Sequence, residues 1–243
     1  MRSRGCAVWF AFVVASGCAA TPDIHVAALP PGSGTFFTQV GLLASETGSV
    51  YQVDVEDGGT AKIGPSSCPW LSALDLRPDG TVLGVGGGVA NAYLIDPLMP
   101  QSCVELGQLP EVMQAVAVRA DGHVFTISDK PNHQTVYELD DALNVIASHP
   151  LSCPTCSIDG IDFAPDGTLY AINGQLSWTT LDPATGDVPT GTPTDLGFDF
   201  DIDAAGTVRA LAGNQFKTYN LAGDKLTGVD IGSTLYVEGL VFR

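Results

Sequence analysis

A unit of strand, turn and strand occurs four times in this chain and constrains its fold more than any other feature. The four copies align without gaps at residues 73–83, 115–125, 160–170 and 199–209. Apolar and polar residues alternate up to an Asp-Gly pair, or Ala-Gly in the last copy, and a second β-rich run follows. This pattern predicts an antiparallel hairpin whose glycine has a positive φ. The turn glycines Gly80, Gly122, Gly167 and Gly206 are therefore spaced about forty residues apart.

Two further strands complete each unit. A third strand ends in Asp or Asn, as in residues 136–140, where the last side chain can start a turn. A fourth strand follows in residues 61–63, 104–106, 145–147 and 226–229, and a Pro-rich stretch near Val188 takes that place in the third unit. Four antiparallel strands repeated at this period predict the blades of a β-propeller.

The two ends of the repeat region predict the number of blades. Residues 239–243 match the first strand of the unit, whereas residues 41–45 and 50–54 match a second and a third strand. We therefore predict an all-β fold over residues 35–243, a five-bladed β-propeller of four-stranded antiparallel blades. It is closed by sharing one blade between the N- and C-terminal segments, which removes exposed strand edges.

The first 34 residues predict export. Basic residues 1–4 and the apolar run 7–15, too short to span a bilayer, are typical of a signal peptide over residues 1–17. Residues 14–18 resemble the lipobox of bacterial lipoproteins, which implies cleavage before Cys18 and lipid on its sulfur. Ala19 then implies sorting to the outer membrane where the host has one. Cleavage near residue 20 would instead give a secreted protein. Residues 18–34, rich in Pro and Ala, are predicted to form a flexible tether.

The repeats themselves resemble known families. The hairpin sequence Asp-Gly-Thr-Leu-Tyr-Ala at 166–171 and the third strand Tyr-Glu-Leu-Asp at 137–140 resemble the YVTN, NHL and quinoprotein-like repeats of extracytoplasmic propellers. The resemblance implies the fold but no single function, since this architecture hosts binders, scaffolds and enzymes. Because the regularly spaced Trp of quinoprotein blades is missing from the sequence, we expect no quinone cofactor.

The charge of the chain limits its partners. Asp and Glu number 27 against 10 Lys and Arg, for a formal net charge of −17. Such a surface repels phosphates, so nucleic acid is not an expected partner. It attracts cations or basic partners, or it serves only solubility.

Acidic residues recur at one position of the first strand, five residues before the turn glycine. Asp75, Asp162 and Asp201 occupy it, whereas Ala117 and Val241 occupy it in the other copies. First strands line a propeller axis, and Asp159, Asp199 and Glu238 would add a second tier toward the channel mouth. These carboxylates would suit Ca²⁺, and they resemble the axial metal site of gluconolactonase-type lactonases and regucalcin. The preferred alternative is structural, with each Asp bonded to backbone amides of the next blade and no cofactor.

Four cysteines remain after the signal and the lipid site, as expected in an oxidising compartment. A local Cys153–Cys156 disulfide is the first interpretation, and a metal held by His149, Cys153 and Cys156 is the alternative. Cys68 and Cys103 would form the complementary pair. The alignment argues against that pair, because it places the two cysteines toward opposite ends of a blade.

These observations predict a non-enzymatic binding or assembly module of the cell envelope, held at the membrane by an N-terminal lipid, with a protein or glycan partner. Such a module would present exposed aromatic residues, such as Trp178 or Tyr93, on one face of the ring. One alternative is a cation-dependent hydrolase or lactonase that uses the channel carboxylates. A further alternative is a purely structural envelope component.

Overall fold

The computed structural model describes eleven segments of the chain: residues 40–45, 49–54, 60–65, 68–96, 99–130, 132–153, 157–174, 177–197, 199–212, 215–230 and 237–242. Side chains are described from residue 68 to residue 228, with gaps at 97–102, 131, 154–156, 175–176, 198 and 211–214. Within these segments no helix is long and apolar enough to cross a membrane.

The described residues form twenty strands in four-stranded antiparallel sheets. The first three strands are β1 (Val40–Ser45), β2 (Ser49–Asp54) and β3 (Thr60–Pro65). Blade 1 contains β4 (Leu71–Leu76), β5 (Val82–Gly86), β6 (Asn91–Asp96) and β7 (Met99–Gln108). Blade 2 contains β8 (Met113–Val118), β9 (Val124–Ser128), β10 (Thr135–Leu139) and β11 (Val145–Pro150).

The remaining strands follow the same order. Blade 3 contains β12 (Ile158–Phe163), β13 (Leu169–Asn173), β14 (Ser177–Thr180) and β15 (Thr192–Pro193). Blade 4 contains β16 (Asp199–Ile202), β17 (Val208–Ala212), β18 (Gln215–Tyr219) and β19 (Lys225–Asp230). The last strand, β20 (Val237–Phe242), pairs antiparallel with β1, and the sheet order is β20-β1-β2-β3.

Consecutive blades are arranged as in a propeller. Within each of blades 1 to 4 the strands pair in chain order. The innermost strands β4, β8, β12 and β16 contact one another in sequence, and β20 contacts both β4 and β16. The fold is therefore all-β, with four-stranded antiparallel blades in a propeller arrangement, as the period of the repeat predicts.

The hairpin between the first and second strands has the predicted conformation. Gly80, Gly122, Gly167 and Gly206 have φ values of 85°, 90°, 85° and 77°. In blade 1 the Gly80 N–H donates to Arg77 O at 2.9 Å, and the Arg77 N–H donates to Thr81 O at 2.8 Å. This is a type I turn with a bulge at a left-handed residue, which glycine adopts without steric cost. Residues of the first–second strand hairpins of all four blades line one shared depression, and we call this side of the propeller the turn face.

The outer strands follow the prediction except in blade 3. Asp140 and Asn220 start turns through their side chains, since Asp140 Oδ1 accepts from the Asn144 N–H at 2.7 Å and Asn220 Oδ1 from the Asp224 N–H at 2.9 Å. In blade 3, however, the fourth strand predicted near Val188 lies at β15 and has two residues. Pro189 precedes this strand and Pro193 lies within it, and neither has the N–H that a longer ladder requires.

Apolar clusters fill the seams between blades. Ala73 and Leu83 of blade 1 pack with Met113 and Val116 of blade 2, and equivalent clusters join blade 2 to blade 3 and blade 3 to blade 4. Each blade therefore buries its faces against its neighbours, as the alternation within each strand predicts.

Candidate functional site: the carboxylates of the channel

The three predicted channel acids lie together in the structure. Asp75, Asp162 and Asp201 are each only 7% exposed, and all three line one cavity of 540 Å³. They project from β4, β12 and β16 at the same level, because the repeat places them at equivalent positions of the first strand. The cavity opens toward residues 203–205 of the turn face.

The oxygens of Asp75 and Asp162 bond to backbone amides of two blades. Asp75 Oδ1 accepts from the Leu76 N–H at 2.5 Å, and its Oδ2 accepts from the Val118 N–H of blade 2. Asp162 repeats this arrangement: Oδ1 accepts from the Phe163 N–H at 2.6 Å and Oδ2 from the Ile202 N–H of blade 4 at 2.5 Å. The structural interpretation of the sequence is confirmed for these two residues, which bridge neighbouring blades.

Burial makes ionisation of these acids unfavourable. Burial raises the pKa of Asp75 to about 7, although the hydrogen bonds from the Val118 and Leu76 amides lower it in part. Burial, followed by repulsion from the Asp75 and Asp201 carboxylates, also raises the pKa of Asp162 well above its ordinary value. The three acids therefore influence one another across the cavity, and they carry less than three negative charges near neutral pH.

The predicted second tier is more dispersed. Asp159 is partly buried near the other mouth, where its Oδ1 accepts from the Ser157 hydroxyl at 3.0 Å and from Gln114 Nε2 at 3.3 Å. Burial, with a smaller contribution from the Asp129 carboxylate, raises the pKa of Asp159. Asp199 Oδ1 accepts from the Phe200 N–H at 3.0 Å. Glu238 lies in β20, whose side chains are outside the described residues.

A cation site requires ligands that converge. Among the described side chains, no three His, Cys, Asp or Glu residues lie together in a group that could hold a metal ion. Both oxygens of Asp75 and of Asp162 already accept backbone N–H groups, so part of their capacity to bind a cation is used within the scaffold. Calcium binding at Asp75, Asp162 and Asp201 stays a prediction.

The cavity also contains a basic residue that the sequence argument missed. Arg209 is 8% exposed, lines the cavity, and donates from Nη2 to Asp203 Oδ2 at 2.8 Å. The alignment does reveal it, because Arg209 replaces the apolar or aromatic residue that the other units have at this position. Those residues are Leu83, Phe125 and Tyr170. This guanidinium offsets part of the negative charge at the channel mouth.

The structure confirms the predicted Cys68–Cys103 disulfide and contradicts the objection to it from the alignment. Cys68 and Cys103 form a disulfide, with Cα atoms 5.3 Å apart, so they do not lie toward opposite ends of the blade as their alignment positions predict. Cys68 precedes β4 and lies in one apolar cluster with Tyr93 and Ile95 of the third strand, against which Cys103 of β7 also packs. Cys153 is also disulfide-bonded. Cys156 lies outside the described residues, as do the signal, the tether and Cys18.

The aromatic residues expected on a ring face are buried. Trp178 is 5% exposed, stacks on Tyr170 with ring centroids 4.9 Å apart, and donates from Nε1 to Leu221 O at 3.1 Å. Tyr93 is 6% exposed. Of the two tryptophans whose side chains are described, Trp70 is the exposed one, at 43%. Neither Trp178 nor Tyr93 is therefore available to a partner.

Comparison with known proteins supports the fold and assigns no family. No family model matches the chain, and no curated protein matches it. Two solved structures share its architecture at 14% sequence identity and a TM-score of 0.51. One is a protein of unknown function from Bacteroides caccae, for which the match covers 80% of this chain and 73% of that one. The other is TolB from Acinetobacter baumannii, with 84% and 66% covered. At this identity the likeness supports a propeller fold alone.

Proposed function

We propose that the protein is a non-enzymatic binding or assembly module of the bacterial cell envelope, anchored by a lipid on Cys18, with a protein or glycan partner. The observation that carries this proposal is the use of the Asp75 and Asp162 oxygens to bridge blades. Because these carboxylates hydrogen-bond to backbone amides of neighbouring blades, their role in this proposal is to stabilise the scaffold. Recognition is therefore assigned to the loops at the two ends of the ring.

The same proposal includes a ring of five blades, closed by the shared sheet of β20 and β1–β3. The antiparallel register of β1 with β20, in which Gly41 pairs with Phe242, supports this closure. So do the contacts of β20 with β4 on one side and β16 on the other. A ring closed in this way has no unpaired inner strand edge.

Export is supported by cysteine chemistry. The Cys68–Cys103 disulfide is expected to persist in an oxidising compartment outside the cytoplasm. The lipobox-like residues 14–18 provide the anchor in this proposal. A Cys18→Ala variant should move from the membrane fraction to the soluble fraction of lysed cells. Membrane retention of that variant would contradict lipid anchoring and leave the binding role open.

The binding role can be tested by photocrosslinking in cells. A benzoylphenylalanine would be placed at Pro165 on the turn face, at Val89 on the opposite loop face, or at Leu226 on the outer strand β19. All three positions are exposed. We expect a discrete adduct from one loop face and none from Leu226. Equal adducts at Leu226, or none from either face, would contradict a protein partner bound through the loops.

The cation-dependent hydrolase is a second candidate, because Asp75, Asp162 and Asp201 line one cavity. Calcium binding there would relieve the repulsion among the buried carboxylates and raise the melting temperature. EDTA should reverse that shift, and Asp162→Asn should reduce it. An unchanged melting temperature in calcium and in EDTA would remove this candidate.

A further inference from the structure

The exposed tryptophan of blade 1 lies flat on a glycine. A methyl group placed on Gly87 would lie 2.7 Å from Cδ2 and 2.8 Å from Cε2 of Trp70. These two atoms form the bond shared by the two rings of the indole, so Gly87 contacts the middle of one ring face. Any larger residue at 87 would displace the indole. Because Trp70 is nevertheless 43% exposed, much of the remaining ring surface faces solvent.

The backbone that carries Trp70 is held on both sides. Cys68, two residues earlier, is bonded to Cys103 of β7. Leu71, the next residue, is 2% exposed, and the Gly87 N–H donates to Trp70 O at 2.8 Å. A large aromatic side chain on a fixed backbone loses little conformational entropy when a ligand binds. The Trp70 indole is therefore exposed to solvent and is also held in place before a ligand binds.

The two chain segments that form the surface at Trp70 are uncharged, although the protein is strongly acidic. Residues 64–74 and 81–95 contain no Asp, Glu, Lys, Arg or His, although the chain has a net charge of −17. Val89 is 41% exposed beside the glycines, and the Asn91 side-chain amide lies 3.4 Å from the Tyr93 hydroxyl. We call Trp70, Val89 and residues 86–88 the Trp70 platform. It matches a neutral ligand that has both an apolar face and hydroxyl groups.

We propose that the Trp70 platform binds a neutral, pyranose-containing glycan by stacking one sugar ring on the indole. The axial C–H groups of a pyranose carry partial positive charge and complement the electron-rich ring face. The hydroxyl groups at the sugar edge can bond to backbone and amide groups of the glycine loop. This inference rests on the proposed binding function and specifies its ligand.

The size of the platform favours a sugar over a protein partner. Its exposed apolar side chains are Trp70 and Val89, next to a loop of glycines that has no side chains. A stable protein interface buries about 800 Å² on each partner, which is several times what two side chains offer. A single pyranose ring, in contrast, covers an area comparable to one indole.

Titration with neutral oligosaccharides tests the proposal. Chitotetraose, cellotetraose, maltotetraose and mannotetraose would be added to residues 35–243 while tryptophan emission is recorded. Trp70 and Trp178 are the tryptophans of this region, and Trp178 is buried, so a change in emission reports on Trp70. We expect saturable binding of at least one oligosaccharide with Kd of about 1 mM or tighter. Saturation-transfer NMR on the same samples gives a second readout that does not depend on fluorescence.

Three variants distinguish stacking from other contacts. Trp70→Ala should weaken binding about tenfold or more, whereas Trp70→Tyr should retain part of it because the aromatic face is kept. Gly87→Ala should also weaken binding, because the added methyl group displaces the indole. Leu226→Ala, which removes a side chain that is 58% exposed on β19, is the matched control and should bind like the parent protein.

The outcomes separate this inference from the proposed function. No saturable binding of any of the four oligosaccharides, or undiminished binding by Trp70→Ala, overturns the glycan site. If a loop face then still yields a protein adduct by photocrosslinking, the binding module stands with a protein partner. If neither oligosaccharide binding nor an adduct is found, both proposals fail.

Discussion

The seam between blades 1 and 2 and the seam between blades 2 and 3 are joined in different ways. In the first, the Asp75 carboxylate bonds to amides of both blades, and the Ser72 hydroxyl donates to Met113 O at 2.7 Å. In the second, Ala117 occupies the equivalent position of β8. There the neutral amide of Gln134 joins the blades: its Oε1 accepts from the Ile158 N–H at 2.6 Å and its Nε2 donates to Ile158 O at 3.0 Å.

The difference teaches that equivalent places in a repeat need not use equivalent chemistry. A buried carboxylate makes strong hydrogen bonds but is costly to ionise, so the strength of its seam depends on pH. A buried amide pairs with one donor and one acceptor at no electrostatic cost. The seam between blades 1 and 2, which we call the carboxylate seam, is therefore bridged by a titratable acid. The seam between blades 2 and 3, which we call the amide seam, is bridged mainly by a neutral amide.

The largest effect is expected from truncating the apolar core of the amide seam. Phe125 is 1% exposed and contacts the Phe163 ring edge-on, with centroids 5.1 Å apart. Phe125→Ala should lower the free energy of unfolding by about 3–5 kcal/mol, because it leaves a cavity between blades. Urea denaturation measures this loss, with Leu226→Ala as the exposed control. A loss below about 1 kcal/mol would mean that this seam contributes little to stability.

Placing a carboxylate in the amide seam tests whether an acid at the position equivalent to Asp75 is tolerated there. Ala117 is fully buried, and the amides that an acid there would reach, those of Val118 and Phe163, already donate to Asp75 and Asp162. Ala117→Asp should therefore cost about 3 kcal/mol at pH 8 and less at pH 5, where the new acid is protonated. Ala120→Asp on the exposed turn is the control. A stabilised Ala117→Asp variant would refute this account.

Removing the amide bridge should have a somewhat smaller effect. Gln134→Leu fills the space but leaves the Ile158 N–H and C=O buried without this partner, at a cost of about 2 kcal/mol. Thermal unfolding at pH 8 and at pH 5 should show the same loss at both values. Gln114→Leu, which removes one 3.3 Å hydrogen bond from a half-buried residue, is the matched control and should lose less. Equal losses in the two variants would count against the Gln134 bridge.

The smallest effect concerns the pH dependence of the carboxylate seam. The pKa of Asp75 is about 7 in the folded protein, against an ordinary value of 3.8. The folded state therefore holds a proton between these values that the unfolded state releases, so the free energy of unfolding should rise as pH falls from 8 to 5 and drop as pH rises through 7. Asp75→Asn should reduce that rise by about 1–2 kcal/mol.

A matched variant isolates the contribution of Asp75. Asp166→Asn changes an exposed turn acid whose pKa is lowered by hydrogen bonds from Thr168, so its titration falls below the range of pH 5 to 8. Stability measured at both pH values for the two variants gives the difference directly. If Asp75→Asn has the same pH profile as the parent protein, the seam does not titrate in this range.

Local sequence was enough for the strands and turns because their determinants are short-range. The alternation around Gly80 and Gly167 predicted both hairpins and the positive φ of the glycines, which the structure confirms. The fourth strand of blade 3 was misplaced because its prolines shorten it, and hydrophobic pattern alone does not register a missing N–H. The Cys68–Cys103 disulfide could not be derived from the alignment, because an alignment gives the order of strands and not which residues outside them meet in space.

The sequence by itself determined the blade period, the turn conformation and the alignment of Asp75, Asp162 and Asp201 at one level of the channel, because each depends on periodic spacing along the chain. Only the tertiary structure decided that the Asp75 and Asp162 oxygens bond to amides of the next blade, that Arg209 joins the cavity, and that Trp70 is exposed while Trp178 is buried. Those outcomes depend on which groups from distant segments meet, and on how much water they exclude. The packing of neighbouring blades determines both.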